Sequence, residues 1–214
     1  MIYIDDAGSG SLIGGVCIGF YHKEKDFFYY DLIPVEFFND INFKEKEYQK
    51  FAVNIVKKFF HSYGVNKKEE ILVCRGYIFD KVREYLSMNG YNFKSIKIEG
   101  KLQTEVENAF SNHIVSLGLP KDYIIYTKYP FHFHKLLKWV FADYENRIKL
   151  CKTGWKSWKK YGAVDINISY GILPADNNFI CLKCGKKILK NSPVKILRFF
   201  TNRENTVFLH KNCP

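Results

Sequence analysis

The sequence has no apolar run approaching the roughly 20 residues that a membrane-crossing helix needs. Its start also lacks the charged, apolar, small-residue order of a secretory signal. The cytoplasm is the expected location, with no membrane partner. Neither an internal repeat nor a low-complexity tract occurs, and a hydrophobic content of 47% with 17% aromatic residues excludes a disordered chain. Acids are the minority charge: 22 Asp and Glu against 33 Lys and Arg leave a formal charge of +11. A polyanion is the partner such a surface attracts, because each phosphate it neutralises releases condensed counterions. Nucleic acid, as RNA, DNA or hybrid, stands first among those partners.

What is present has the length of one α/β domain with a small module attached. "MIYID", "LIGGVCIGFY" and "KDFFYYDLIP" read as three strands joined by a glycine turn and a polar break, an antiparallel meander. From Phe43 to Tyr63 apolar residues recur at helical spacing, and Gly64 ends the run. "EEILVCRG" reads as a buried strand, Phe79–Met88 as a helix, "FKSIKIEG" as a strand ending on Glu99, and the segment from Leu102 to Leu117 as a helix. "DYIIYT" suits an edge strand, and Pro130 opens a further helix. "GAVDINISYGILPADNN" has weak pattern and marks a boundary, giving residues 1–162 as one domain and 163–214 as linker and C-terminal module.

The first strand ends on two adjacent carboxylates, Asp5 and Asp6. Held together, each raises the pKa of the other unless a cation lies between them. Hard divalent cations, Mg²⁺ or Mn²⁺, take such oxygen ligands, and two of them can clamp the attacking and leaving oxygens of phosphoryl transfer. As a bare pattern, two aspartates before glycine also suit a polar turn.

The run Ile4 to Gly14, "IDDAGSGSLIG", resembles the signature of type 2 ribonucleases H, whose first strand ends Asp-Glu-Ala-Gly-Arg-Gly. Asp5, Asp6, Ala7, Gly8 and Gly10 fit it, with Asp for Glu at position 6 and Ser9 for the arginine. The order of elements is also that of the ribonuclease H fold: three antiparallel strands, then parallel strands reached through crossover helices. The resemblance implies an α/β, ribonuclease H-like mixed sheet and a metal-dependent nuclease acting by a two-metal mechanism. It implies Asp5, Asp6 and Glu99 as ligands of the catalytic cations and Lys101, in "IEGK", as a phosphate contact. Where the family has an acid on its fourth strand, "ILVCRG" carries Cys74 and Arg75; Asp80, Glu105 or Asp143 could replace it. The same fold without a complete acid set would be a nucleic-acid-binding protein. "DAGS" also resembles the phosphate loop of sugar kinases and actin-like ATPases, which need a second such domain that 214 residues do not accommodate.

Cys17, Cys74 and Cys151 are scattered, whereas Cys181, Cys184, His210 and Cys213 form C-x2-C followed by H-x2-C. Two such pairs close a tetrahedral zinc site with no open position, so a structural Zn²⁺ in a module similar to zinc ribbons and treble clefs is expected. Between the pairs, "KKILKNSPVKILRFFTNREN" suits a hairpin with exposed basic residues. "CKTGWKSWKKYG" interleaves aromatic and basic residues. Trp155, Lys156, Trp158 and Lys159 are candidates for nucleic-acid contact through stacking and phosphate neutralisation, against a reading in which the tryptophans are core. His132 and His134 stand two apart with no clear third ligand.

Overall fold

The computed structural model describes residues 1–125, 131–173 and 179–213. Alternation of apolar and polar residues at the start produces β1 (Ile2–Ala7), which sends Ile2 and Ile4 into one buried layer. Antiparallel neighbours β2 (Val16–His22) and β3 (Phe27–Ile33) follow, in the register Ile4↔Phe20 and Ile18↔Asp31. β4 (Ile71–Cys74) returns parallel to β1, and β5 (Phe93–Ile96) lies parallel to β4. The result is a mixed five-stranded sheet in the order β3-β2-β1-β4-β5, with β1 at its centre.

Helices cover both faces. On one, α2 (Glu47–Tyr63) buries Tyr48, Ala52, Ile55, Val56, Phe59 and Phe60, and Phe59 stacks on Phe20 with ring centroids 4.1 Å apart. The helix expected from Phe43 divides in two, because Lys46 takes a left-handed conformation between α1 (Asp40–Lys44) and α2. Gly64 ends α2 with φ 62° and an N–H bonded to the Phe60 carbonyl. Beside it α3 (Asp80–Met88) buries Val82 and Leu86 and forms the crossover from β4 to β5. On the other face α4 (Lys101–Ser116) buries Leu102, Val106, Ala109, Phe110 and Ile114.

One expectation fails beyond α4. "DYIIYT" has the pattern of an edge strand, but Lys121–Ile125 is the short helix α5, and the remainder of that stretch lies outside the described residues, as does Pro130. The boundary stretch contains a strand, β6 (Asn167–Ile172). Between them come α6 (Phe133–Phe141), α7 (Tyr144–Arg147) and α8 (Lys156–Tyr161). The C-terminal segment then forms the small hairpin of β7 (Phe179–Ile180) with β8 (Lys187–Ile188), and β9 (Pro193–Phe200) pairs with β10 (Glu204–His210). The second sheet has the order β10-β9-β6. One apolar cluster runs from Ala7 and Phe110 through Leu136 and Val140 to Leu173, Val194 and Leu209, so residues on both sides of position 163 share a core. No described helix is long and apolar enough to cross a membrane.

Candidate functional site

β1 ends at the centre of the sheet, and its neighbour β4 ends beside it: Ile4 pairs with Val73, which sets Asp5 level with Cys74. Ligand atoms of Asp5, Asp6 and Cys74 lie within 4.8 Å of one another. Asp5 is only 6% exposed, and one of its oxygens accepts the Asp6 N–H at 2.9 Å. Burial pushes the Asp5 carboxyl up, against the pull of the Cys74 thiol and the Asp6 N–H. Asp6 is raised to about 6, by burial first and by the Asp5 charge, while the Ser9 hydroxyl and Lys152 hold it down. Burial and the neighbouring Asp5 lift the Cys74 thiol to about 11. Each of these groups is therefore ionised at a cost that a divalent cation between them would relieve.

Side-chain packing and backbone hydrogen bonds fix the turn after the acids. Gly8 has φ +91°, and a Cβ there would stand 2.2 Å from Phe110 Cε2, so α4 packs directly on the turn and excludes a side chain. Across the turn, the Lys152 ammonium donates to the Gly8 carbonyl at 2.6 Å. Lys152 is fully buried, with its nitrogen 4.7 Å from the Phe38 ring centroid and 5.1 Å from that of Trp155. The backbone of this segment is stitched to the turn by Lys152 N–H to the Leu12 carbonyl at 2.8 Å and Gly14 N–H to the Leu150 carbonyl at 3.0 Å. Arg83 holds the end of β4, donating to the carbonyls of Cys74 at 2.9 Å and Gly76 at 3.3 Å.

Glu99 and Lys101 do not join the aspartates. β5 ends at Ile96, level with Cys74, and the chain then turns outward. Glu99 is exposed and pairs with Lys97 at 2.5 Å, while Lys101 opens α4 and pairs with Asp26. Both line a separate shallow cavity of about 200 Å³ with Tyr3, Tyr21, Lys23 and Leu102. The pattern "IEGK" is the loop from β5 into α4, with only its lysine helical, and its charged side chains lie at the surface. Asp80 is engaged by Arg83 and by Gln49 at 3.2 Å. The acid that does act on Asp5 is Glu107 on α4, whose charge helps to raise the Asp5 pKa. Sequence reading missed it and missed Lys152: no motif marks either, and only the packing of α4 and of the 150–155 segment on the turn brings them near.

The C-terminal cluster converges as its spacing predicts: ligand atoms of Cys181, Cys184, His210 and Cys213 lie within 4.8 Å of one another. Cys181 Sγ stands 3.6 Å from Cys213 Sγ, and Cys184 Sγ 3.4 Å from His210 Nδ1. A tetrahedron with Zn–S bonds near 2.3 Å and Zn–N near 2.0 Å has edges of about 3.5–3.8 Å, so the four residues could hold a zinc ion. His210 Nε2 faces the Lys187 carbonyl at 3.2 Å, which orients the ring with Nδ1 toward the sulfurs. Gly185, at φ 75°, folds the backbone over Cys181 through its N–H at 2.8 Å. The buried Arg147 guanidinium anchors this turn by donating to the carbonyls of Leu182 and Lys183, both at 2.8 Å, and Trp139 at 2.5 Å.

In the basic aromatic segment, Trp155 and Trp158 are partly buried and Trp158 packs against the core, while Lys156 and Lys159 are exposed. Lys159 pairs with Asp40 at 2.8 Å, and both lysines line an open groove of about 530 Å³ with Phe43 and Lys44. His132 and His134 sit at the start of α6 with ring centroids 5.5 Å apart. Compared with known proteins, the chain matches no family model and none of the curated proteins.

Proposed function

We propose that this chain is a ribonuclease H-like, metal-dependent nuclease carrying a structural zinc module. The observation that carries the reading is the position of Asp5 and Asp6: they lie at the carboxyl end of the central strand of a sheet ordered β3-β2-β1-β4-β5, beside the end of parallel β4. Two carboxylates and a thiol within 4.8 Å suit a divalent cation, and the sulfur favours Mn²⁺ over Mg²⁺. When bound there, such a cation supplies Lewis-acid activation of water and charge neutralisation at a phosphodiester. Asp5 and Asp6 hold it; Arg83 and Lys152 fix the ends of the two segments that carry the ligands. The two-cation form needs another carboxylate, and Glu107 on α4 is the nearest in effect. Cys181, Cys184, His210 and Cys213 leave no open position, so zinc there holds the module together rather than acting on substrate. Trp155, Lys156, Trp158 and Lys159 form the basic face offered to RNA, DNA or a hybrid.

A second reading is favoured by Cys74 standing where an acid is expected: a nucleic-acid-binding protein with an incomplete cation site. Zinc-loaded protein freed of other divalent ions should be incubated with labelled single-stranded, duplex, hybrid and branched nucleic acids, with and without Mn²⁺, alongside Asp5→Asn. Mn²⁺-dependent cleavage that is lost in Asp5→Asn supports the nuclease. Salt-sensitive binding without cleavage in every sample supports the second reading.

A further inference from the structure

β6 is an edge strand whose apolar stripe is uncovered among the described residues. It pairs with β9 on one side, and among the described residues no strand pairs with its other side. Ile168, Tyr170 and Ile172 alternate onto one face and are 51%, 63% and 62% exposed. Natural edge strands are usually blunted by lysine, proline or a bulge, because a free row of N–H and C=O groups invites another strand. Asn167–Ile172 contains no charged residue and no proline.

The sequence of this strand indicates what pairs with its free edge. In Ile168-Ser169-Tyr170-Gly171-Ile172 the outward-facing residues read alike in both directions. A two-fold antiparallel pairing centred on Tyr170 sets Ile168 opposite Ile172 of a second copy and Tyr170 opposite Tyr170, all on one face. A slip of one residue would set Ile168 opposite Gly171 and bring the stripe of one copy to the other face. A slip of two would pair Ile172 with Ile166, which already packs against the core. Two chains of charge +11 repel at long range, but this seam opposes no like charges.

We infer that the chain self-associates through β6, joining its second sheet to that of a second copy in the order β10-β9-β6-β6-β9-β10. This inference is independent of the nuclease reading. One strand from each copy buries less than the roughly 1,600 Å² of a standard interface, so the dimer is concentration-dependent.

Sedimentation velocity of the zinc-loaded full chain, from low micromolar to several hundred micromolar, tests it. Wild type should shift from monomer to dimer across that range, and Tyr170→Lys should associate at least tenfold more weakly with its thermal unfolding unchanged. Register is read by cross-linking in a glutathione redox buffer. In Tyr170→Cys the two introduced thiols face each other across opposed positions roughly 5 Å apart, within disulfide reach. In Ile168→Cys they are offset by four residues, about 13 Å along the strands, and should not link. A wild type that stays monomeric throughout, a dimer that persists in Tyr170→Lys, or equal cross-linking at 168 and 170 would overturn the proposal.

Discussion

Lys152 carries an amine to a place where no part of the side chain meets water, with the Gly8 carbonyl as its hydrogen-bond partner and two aromatic faces around it. Burial pushes its pKa down to about 7, although the Asp6 charge pulls it partly back. In the unfolded chain a lysine keeps its proton to about pH 10.4. Between pH 7 and pH 9 the unfolded state therefore binds more protons than the folded state, and stability rises with pH through that window; below pH 7 the amine is charged in both states and the slope vanishes. At about 1.4 kcal/mol per unit, wild type should gain on the order of 2 kcal/mol over those two units relative to Lys152→Met. Urea unfolding of both proteins at pH 6, 7, 8 and 9 measures the difference. Parallel curves would mean that the amine reaches water and that its contact with Gly8 is not what holds the turn.

Gly8 and Phe110 show how elements, rather than residues, define the acidic turn. Gly8→Ala places a methyl group into the Phe110 ring and a side chain at φ +91°. Together these should cost roughly 2–4 kcal/mol. Phe110→Leu in the same chain should return the steric part and leave the backbone strain, so a double-mutant cycle by urea unfolding should show a coupling of about 1–2 kcal/mol. Strict additivity would mean that α4 does not rest on the turn. The strands β1 to β4 and the helices α2 to α4 were legible in the sequence because each buries one face and so repeats with period two or near 3.6. β5 was overextended because Lys97–Gly100 keeps strand-like composition after pairing has ended, and this misplaced Glu99 at the site. The five residues "KDYII" of α5 carry too little pattern to separate helix from strand. β6 is hard to see in sequence because its short Ile168, Tyr170, Ile172 alternation is interrupted by Gly171 and followed closely by Pro174. The cluster of Cys181, Cys184, His210 and Cys213 was legible, since C-x2-C and H-x2-C pairs are local, whereas Glu107 and Lys152 reach the acids only through long-range packing.

For the whole molecule, the shared core joins the segment with the Cys/His cluster to the sheet with the acids. Arg147 strengthens that join by binding the carbonyls of Leu182 and Lys183 from α7. A module on a free linker would unfold separately when its metal is removed. Here, Cys184→Ser or a zinc chelator should lower the single unfolding transition of the entire chain, because loss of the zinc turn exposes Leu173, Cys181 and Leu182 in the common core. Calorimetry with two resolved transitions, one of them insensitive to chelator, would contradict this. The same rigidity bears on the proposed nucleic-acid partner, since the α8 lysines keep a fixed relation to the acids. Lys156→Gln with Lys159→Gln should then lower affinity for all sequences alike and reduce the slope of log K against log salt by about one to two, as expected for one or two lost phosphate contacts. Lys159 is already paired with Asp40, so its share requires that pair to open, and Asp40→Asn alone should tighten binding slightly. Fluorescence anisotropy over a range of salt concentrations separates the cases: an unchanged slope in the double variant would move the phosphate-binding face away from α8, to the exposed Lys and Arg of β9 and its neighbours.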